Sequence, residues 1–462
     1  MGLSYLSAVT SLLLLLSLVW LLKGCRRSKK QKLPPGPWKL PLIGNLHNFI
    51  GSLPHRALRE LARKHGPLMH IQLGELSAVV VSSPRMASEV MKRHDPAFAQ
   101  RPELVAPKIV SYGGKNIAFS PFGDYWRQMR KVCAMELLSA KRVQSFSSVR
   151  EEEVSNLIES IQSSIASPIN LSEKISSLLS AIISRVAYGN KCKDQNALIS
   201  LTKEAIYLTG GFDWGEPEEE DLVDMFLGLQ KRGIIEYPVT TNDIKAVIWD
   251  MFAAGTDTSS KVIDWAMSEM MRNPRVLERA QDEIRRAFRG KNRIHETDIQ
   301  SLSYFKSVVK ETLRLHPPAP LIPRECREPR NIDGFEIPVK TEVIINAWAI
   351  GRDPEYWHDA DSFMPERFNC SSLDFRGTNF EYIPFGAGRR ICPGMLLGLA
   401  NVELPLARLL YHFNWQLPGG LKPENLDMTE AFGATIGKKK DLYLIPTPYS
   451  PSIASSDSSN II

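Results

Sequence analysis

The sequence predicts a mainly α fold with a small β portion, an α+β body set behind an N-terminal membrane anchor. Three observations carry that expectation. Long segments with helical apolar periodicity dominate, only a few short alternating runs stand between them, and the run Leu3 to Leu22 holds no charged side chain. The 462 residues are 43% hydrophobic and 23% charged, the composition of a globular chain with room for a large core. A formal net charge of +6 is mild and lies largely near the N-terminus, which argues against nucleic-acid binding.

The uncharged run is long enough, at a helical rise of about 1.5 Å per residue, to cross a hydrocarbon core of about 30 Å. We read residues 1–23 as a single transmembrane anchor. Lys23, Arg26, Arg27, Lys29, Lys30 and Lys32 follow it, and the positive-inside rule then places the rest of the chain in the cytosol. A cleaved signal peptide is the competing reading, but no basic residue precedes the run and no small-x-small site closes it. Myristoylation fails because Leu6 stands where serine or threonine is required. Residues 24–38 form a basic hinge ending in the stiff Leu33-Pro34-Pro35-Gly36-Pro37. The six cysteines contain no Cys-x-x-Cys pair, so they read as reduced cytosolic thiols and not as a zinc site.

Residues 39–446 are expected to form the catalytic body. Pro67 to Val81 reads as a hairpin around Gly74, and Pro84 to Arg93 as a helix. Pro121 to Arg130 places Trp126 and Arg130 on one helical face. Helices rich in Leu, Ile and Ser cover Ser147 to Tyr188 and Ala197 to Leu208. A helix capped by Thr241-Asn242-Asp243 runs to Asn273-Pro274, with Ala254-Gly255-Thr256-Asp257-Thr258-Ser259 as an interruption at its centre. Phe305 to Leu315 gives another helix, in which Glu311 and Arg314 stand at i, i+3; alone, that pair reads as a weak surface salt bridge. Val343 to Ala349 and Leu442 to Ile445 read as strands, and the Ser/Pro-rich residues 447–462 as a disordered tail.

The stretch Pro384-Phe385-Gly386-Ala387-Gly388-Arg389-Arg390-Ile391-Cys392-Pro393-Gly394 organises the rest. Three glycines within nine residues allow positive φ and close approach to a bulky planar group. Pro393 suits the first turn of the apolar helix that follows, from Met395 to Phe413. The sulfur of Cys392 is then placed at a helix N-terminus, where the dipole and free N–H groups lower a thiol pKa and make a thiolate available to bind iron. Arg390, two residues earlier, can meet a carboxylate.

Phe385, Gly388, Arg390, Cys392 and Gly394 fill the pattern Phe-x-x-Gly-x-Arg-x-Cys-x-Gly, which resembles the haem-binding signature of the cytochrome P-450 monooxygenases. The resemblance implies haem b with Cys392 as the axial iron ligand, and Trp126, Arg130 and Arg324 as propionate donors beside the signature residues Phe385, Arg390 and Gly394. It makes Ala254 to Ser259 an oxygen-binding stretch in which Thr258 hydrogen-bonds reduced dioxygen or its water and Asp257 delivers protons. Glu311, Arg314 and, from Pro365-Glu366-Arg367-Phe368, Arg367 become a buried brace. Substrate contacts are expected from Val105 to Phe119, Phe252 to Ala254, Ala319 to Ile322 and Phe432 to Ile436. Their apolar character fits a small hydrophobic substrate. The wording of Pro323 to Glu328 and of Asn346 to Asp353 resembles plant microsomal members that oxidise terpenoids and other specialised metabolites.

No flavin or dinucleotide fingerprint is present. The resemblance therefore implies an NADPH-dependent flavoprotein reductase as electron source, with the chain in the endoplasmic reticulum membrane and dioxygen as co-substrate. One departure stands out. Gly210-Gly211-Phe212-Asp213 runs almost at once into Gly215-Glu216-Pro217-Glu218, so the helices that roof the substrate pocket in such proteins are missing near residues 211–216, on the order of forty residues. Three readings follow: an active monooxygenase, a truncated haem-binding variant without oxygenase activity, and a membrane-anchored scaffold without haem. The acid–threonine pair favours the first and the gap motivates the second.

Overall fold

The structure, a computed structural model, describes residues 32–103, 108–109, 111–188, 240–291, 293–369, 371–431, 433 and 435–449. The expected anchor, the helix at Ala197 to Leu208 and the shortened region near residues 211–216 lie outside the described residues. Among those described, no helix is long and apolar enough to cross a membrane. The body expected at residues 39–446 divides into two compact units.

The first unit runs to Gln100 and takes back Pro323–Asn346 from later in the chain. Its hairpin forms as expected: β1 (Leu68–Leu73) pairs antiparallel with β2 (Leu76–Val81), Leu68 opposite Val81. Between the two strands Gly74 takes φ 61°. The sheet continues through β4 (Glu342–Asn346), parallel to β2, to β3 (Leu321–Glu325) at its far edge. Because the sheet is covered, β2 is a near-continuous apolar run. The strand expected over Val343 to Ala349 stops at Asn346, where Ala347–Ile350 turns helical.

The second unit comprises Arg101–Ile322 and everything after Asn346. It is helical apart from a two-strand pairing of Glu430–Ala431 with Gly437–Lys438 and a small antiparallel sheet in which β6 (Tyr443–Pro448) lies between β5 (Phe413–Gln416) and Ile169–Asn170. The β6 strand corrects the tail boundary: Thr447 and Pro448 pair with Asn414 and Phe413, and Tyr449 N donates to His412 O at 2.8 Å.

At the centre lies α5 (Thr241–Arg272). Its cap is Thr240, one residue earlier than expected, in a capping box with Asp243: each side chain satisfies the other's backbone N–H. The expected interruption at Ala254–Ser259 does not occur, because all 32 residues are helical. Gly255 is there for packing: a Cβ on it would lie 2.9 Å from Ile183 Cδ1 on the helix Leu171–Tyr188. The helix ends where Asn273 precedes Pro274, the residue that cannot continue it.

The Glu-x-x-Arg pair is a buried structure and not a surface bridge. On α7 (Ser303–Leu315), Glu311 is fully buried and Arg314 nearly so. Arg314 Nε and Nη2 donate to the two Glu311 oxygens at 2.7 and 2.8 Å, and Arg367 Nε donates to Oε1 at 3.0 Å. The remaining guanidinium N–H groups reach the carbonyls of Gly351 and Ala360. Two arginines on one enclosed carboxylate, with the rest of each fork satisfied by backbone, is the arrangement in which buried charge is tolerated. Glu311→Gln should lower stability by about 3–5 kcal/mol, since it leaves two buried cations without their anion. The urea midpoint, measured against wild type, checks this; a change below about 1 kcal/mol would mean that the arginines find other partners.

Candidate functional site

Cys392 follows a loop that closes on itself. Gly386 and Gly388 take φ 73° and 67°, and Cys392 N donates to Phe385 O at 2.9 Å. Only these two of the three glycines use positive φ, since Gly394 sits at φ −88° as the N-cap of α8 (Met395–His412). Helical geometry therefore begins after Pro393, and the sulfur stands two residues outside the cap. This changes its electrostatics. Burial pushes the Cys392 thiol above its ordinary value, opposed by the Gly394 N–H at the helix cap and by the Arg130 charge.

Trp126 and Arg130 lie on α2 (Asp124–Val132), one turn apart as their spacing predicts. With Arg390 they form one cluster. The Arg390 guanidinium covers the Trp126 ring at 4.1 Å and that of Arg130 approaches it at 5.5 Å. Trp126 Nε1 and Arg390 Nη1 both donate to Ile117 O, at 3.0 and 3.4 Å; Arg390 Nη2 donates to Ser120 O at 2.6 Å, and Arg130 to Ile391 O. Arg390 thus meets the carbonyls of Ile117 and Ser120. The fold brings Trp126, Arg130, Arg390 and the cysteine loop together from segments 261 residues apart. Phe385 packs edge-on against Phe375 at 5.5 Å, bracing the loop. Arg324 belongs to the first unit, where it lies buried on β3.

The centre of α5 meets α8 close by, since a Cβ on Gly398 would lie 3.9 Å from Ser259 Oγ. Thr258 Oγ donates to Ala254 O at 2.6 Å, the back-bond typical of a threonine within a helix. The hydroxyl oxygen keeps its lone pairs and can still accept. Asp257 is engaged more firmly: its Oδ2 accepts from Lys261 Nζ at 2.8 Å and from the Thr435 hydroxyl, and Lys261 also donates to Thr435 Oγ.

The residues fit a bulky flat group. Cys392 keeps accessible surface although protein surrounds it, as does a side chain lining an internal space. Ala254 is exposed on a helix whose neighbours Phe252, Thr256 and Ser259 are buried. The hydroxyls of Thr256 and Ser259 are buried with no hydrogen-bond partner among the described residues. A soft sulfur ligand, clustered cations and an open helix face form a donor set suited to haem.

Sequence reasoning missed Asp250. This α5 carboxylate is buried and accepts from Asn116 Nδ2 at 2.6 Å and from the backbone N–H groups of Ile117 and Ala118 at 2.8 and 3.1 Å. Burial raises its pKa to about 7 even against these donors. Arg101, whose Nε donates to Ala118 O at 2.9 Å, is pushed down to about 10 chiefly by its own burial. The available signal was an acid inside the apolar run Ile248-Trp249-Asp250-Met251-Phe252.

A thiol held by a glycine loop against a central helix, with arginines and a tryptophan gathered beside it, defines a haem-thiolate site. The "Cytochrome P450" family profile matches residues 34–215 and 212–445, and the chain belongs to that family. It is a monooxygenase whose haem iron takes a thiolate ligand. The chain is 55% identical to desmethyl-deoxy-podophyllotoxin synthase of Sinopodophyllum hexandrum, the match covering 95% of this chain and 96% of that one. Premnaspirodiene oxygenase of Hyoscyamus muticus is 51% identical, with 96% and 99% covered. Among solved structures, a zebra fish cytochrome P-450 crystallised with abiraterone shares the fold at a TM-score of 0.76 and 24% identity, covering 86% of this chain and 99% of its own.

Cys392→Ala should remove the thiolate-type band from the reduced carbon-monoxide difference spectrum. Persistence of that band would show that another residue ligates the iron.

Proposed function

We propose that the chain hydroxylates a small terpenoid or related hydrophobic metabolite, inserting one atom of dioxygen with electrons from an NADPH-dependent flavoprotein reductase. The convergence of Cys392 with Trp126, Arg130 and Arg390 beside the open face of α5 carries this reading. Haem held there supplies a redox-active iron whose thiolate ligand favours O–O cleavage. Cys392 would be the ligand, with the Gly394 N–H and the Arg130 charge favouring its anionic form. Trp126, Arg130 and Arg390 would turn their N–H groups to the propionates, charge-assisted bonds that fix the cofactor's orientation. The Phe385 ring, edge-on against Phe375, would brace the loop.

Thr258 can accept a hydrogen bond on the oxygen whose proton goes to Ala254 O, which would let it hold a water at the open face of α5. Asp257, whose Oδ2 accepts from Lys261 Nζ and from the Thr435 hydroxyl, can take a proton from solvent through either partner. The names of the podophyllotoxin synthase and premnaspirodiene oxygenase relatives support an apolar plant metabolite as substrate. Exposed Arg127, Lys131 and Arg389, on α2 and the cysteine loop, supply a basic surface for an acidic reductase. The uncharged run before the basic hinge supports anchorage in the endoplasmic reticulum membrane with the catalytic part cytosolic.

One observation favours a second reading, a haem-binding variant without turnover. The family match comes in two pieces that meet at residues 212–215, and the alignment with premnaspirodiene oxygenase spans 496 positions, more than the 462 residues of this chain. That relative therefore carries residues with no counterpart here.

Two measurements separate the readings. The full-length protein in membranes should give a thiolate-type carbon-monoxide difference spectrum, and with a plant reductase and NADPH it should oxidise a member of a terpene hydrocarbon panel that includes premnaspirodiene. The spectrum without NADPH-dependent product would establish the variant reading. Thr258→Ala should lower product formed per NADPH consumed several-fold, with haem content unchanged. Equal coupling in the variant would remove its part in proton delivery.

A further inference from the structure

We propose that Asp250 is a positioning residue that sets where the segment 115–119 lies along the central helix, and through it which carbon of the substrate is presented for oxidation. The inference rests on the monooxygenase reading for its consequence, but its geometry stands alone. Asp250 and Asp243 are seven residues apart, two turns, and so project from one side of α5. Both grip the same segment. The Tyr125 hydroxyl lies 2.9 Å from Asp243 Oδ1 and 2.7 Å from Lys115 O, and its single proton is shared between the two acceptors. Lys115 Nζ lies 3.4 Å from the same carboxylate oxygen. Asp250 takes the next three residues, one oxygen on the Asn116 side chain and the other on the amides of Ile117 and Ala118. Asn116 Oδ1 in turn accepts from Phe119 N at 3.1 Å.

The peptide groups flanking Ile117 are thus fixed from two directions. The N–H is held by Asp250, while the carbonyl accepts from Arg390 and from Trp126, the latter a bond that would be given up when the indole N–H turns to a propionate. Asp250 is eight residues before Thr258, about 12 Å along the helix, and two before Phe252. One carboxylate therefore ties together the loop, the cofactor cluster and the substrate side of the helix. A carboxylate is the one side chain that accepts from all three donors in an apolar surround without a competing donor of its own. A structural helix at this place would need only an apolar residue, and the burial of a charge there calls for another reason.

Asp250→Leu removes all three acceptors and suits the surrounding apolar helix. In the full-length, haem-loaded protein, the amides of Ile117 and Ala118 should exchange hydrogen at least about tenfold faster, with protection of α7 and α8 unchanged. The ratio of oxidised positions on a shared terpene hydrocarbon should shift as well. Asp250→Asn should restore most of the protection, because its oxygen can face the two amides while Asn116 turns its own amide to accept from the new NH2 group; the Phe119 amide then loses its partner and exchanges faster. Unchanged exchange at Ile117 and Ala118 in the Leu variant would overturn the proposal, as would an equal loss of protection throughout the unit. Faster local exchange with an unaltered product ratio would overturn the link to selectivity. If the Leu variant fails to load haem, Asn116→Ala tests the same tie from the loop side, with faster exchange at Phe119 and a shifted ratio expected; no change in either would sink it. Faster exchange in a protein whose wild type forms no product would leave the tie standing and retire the monooxygenase reading instead.

Discussion

Enclosing a thiol in protein makes its anion expensive, and the structure around Cys392 is arranged against that cost. Burial raises the thiol pKa, while the Gly394 N–H and the Arg130 charge favour the thiolate. Arg130 can do so only if it is held near the sulfur, and its bond to Ile391 O holds it there. The Trp126 ring also meets both guanidinium groups, those of Arg130 and Arg390, and its π face offsets part of their like-charge repulsion. Each member of the cluster restricts the next, which is how cations come to share a small buried space.

The central helix is the second constraint. It has to run unbroken past the cysteine loop and yet leave one face open. Small residues at Ala253, Ala254 and Gly255 achieve this without a kink, and Gly255 allows the helix Leu171–Tyr188 to approach closely through Ile183. The open face is thus a matter of side-chain size. Its polar groups are held in different ways: Thr258 by its own carbonyl at Ala254, Asp257 by Lys261 and Thr435, and Asp250 by the loop. The first keeps an acceptor available, and the others fix charges whose positions matter.

The haem signature was legible because its parts are neighbours in sequence, with spacing that reports a turn and a helix start. Trp126 and Arg130 were legible as a pair for the same reason, their i, i+4 separation. What each would touch was not, since Ile391 is 261 residues from Arg130 and Ile117 is 273 from Arg390. Glu311 and Arg314 show the limit most clearly. Their spacing alone describes a weak surface pair, and only burial, together with Arg367 at 56 residues' distance, turns them into a brace.

By itself the sequence determined that this chain is mainly helical with a small β portion, that one cysteine in a glycine-rich loop carries the haem signature, and that the chain resembles the haem-thiolate monooxygenases. Those properties reside in local patterns. Tertiary structure alone decided that the thiol is enclosed beside the Arg130 charge, that the central helix is continuous, and that Asp250 grips residues more than 130 positions earlier. The physical reason is common to all three. Desolvation, close packing and charge pairing depend on which atoms enclose a group, and the enclosing atoms come from segments that sequence distance does not connect.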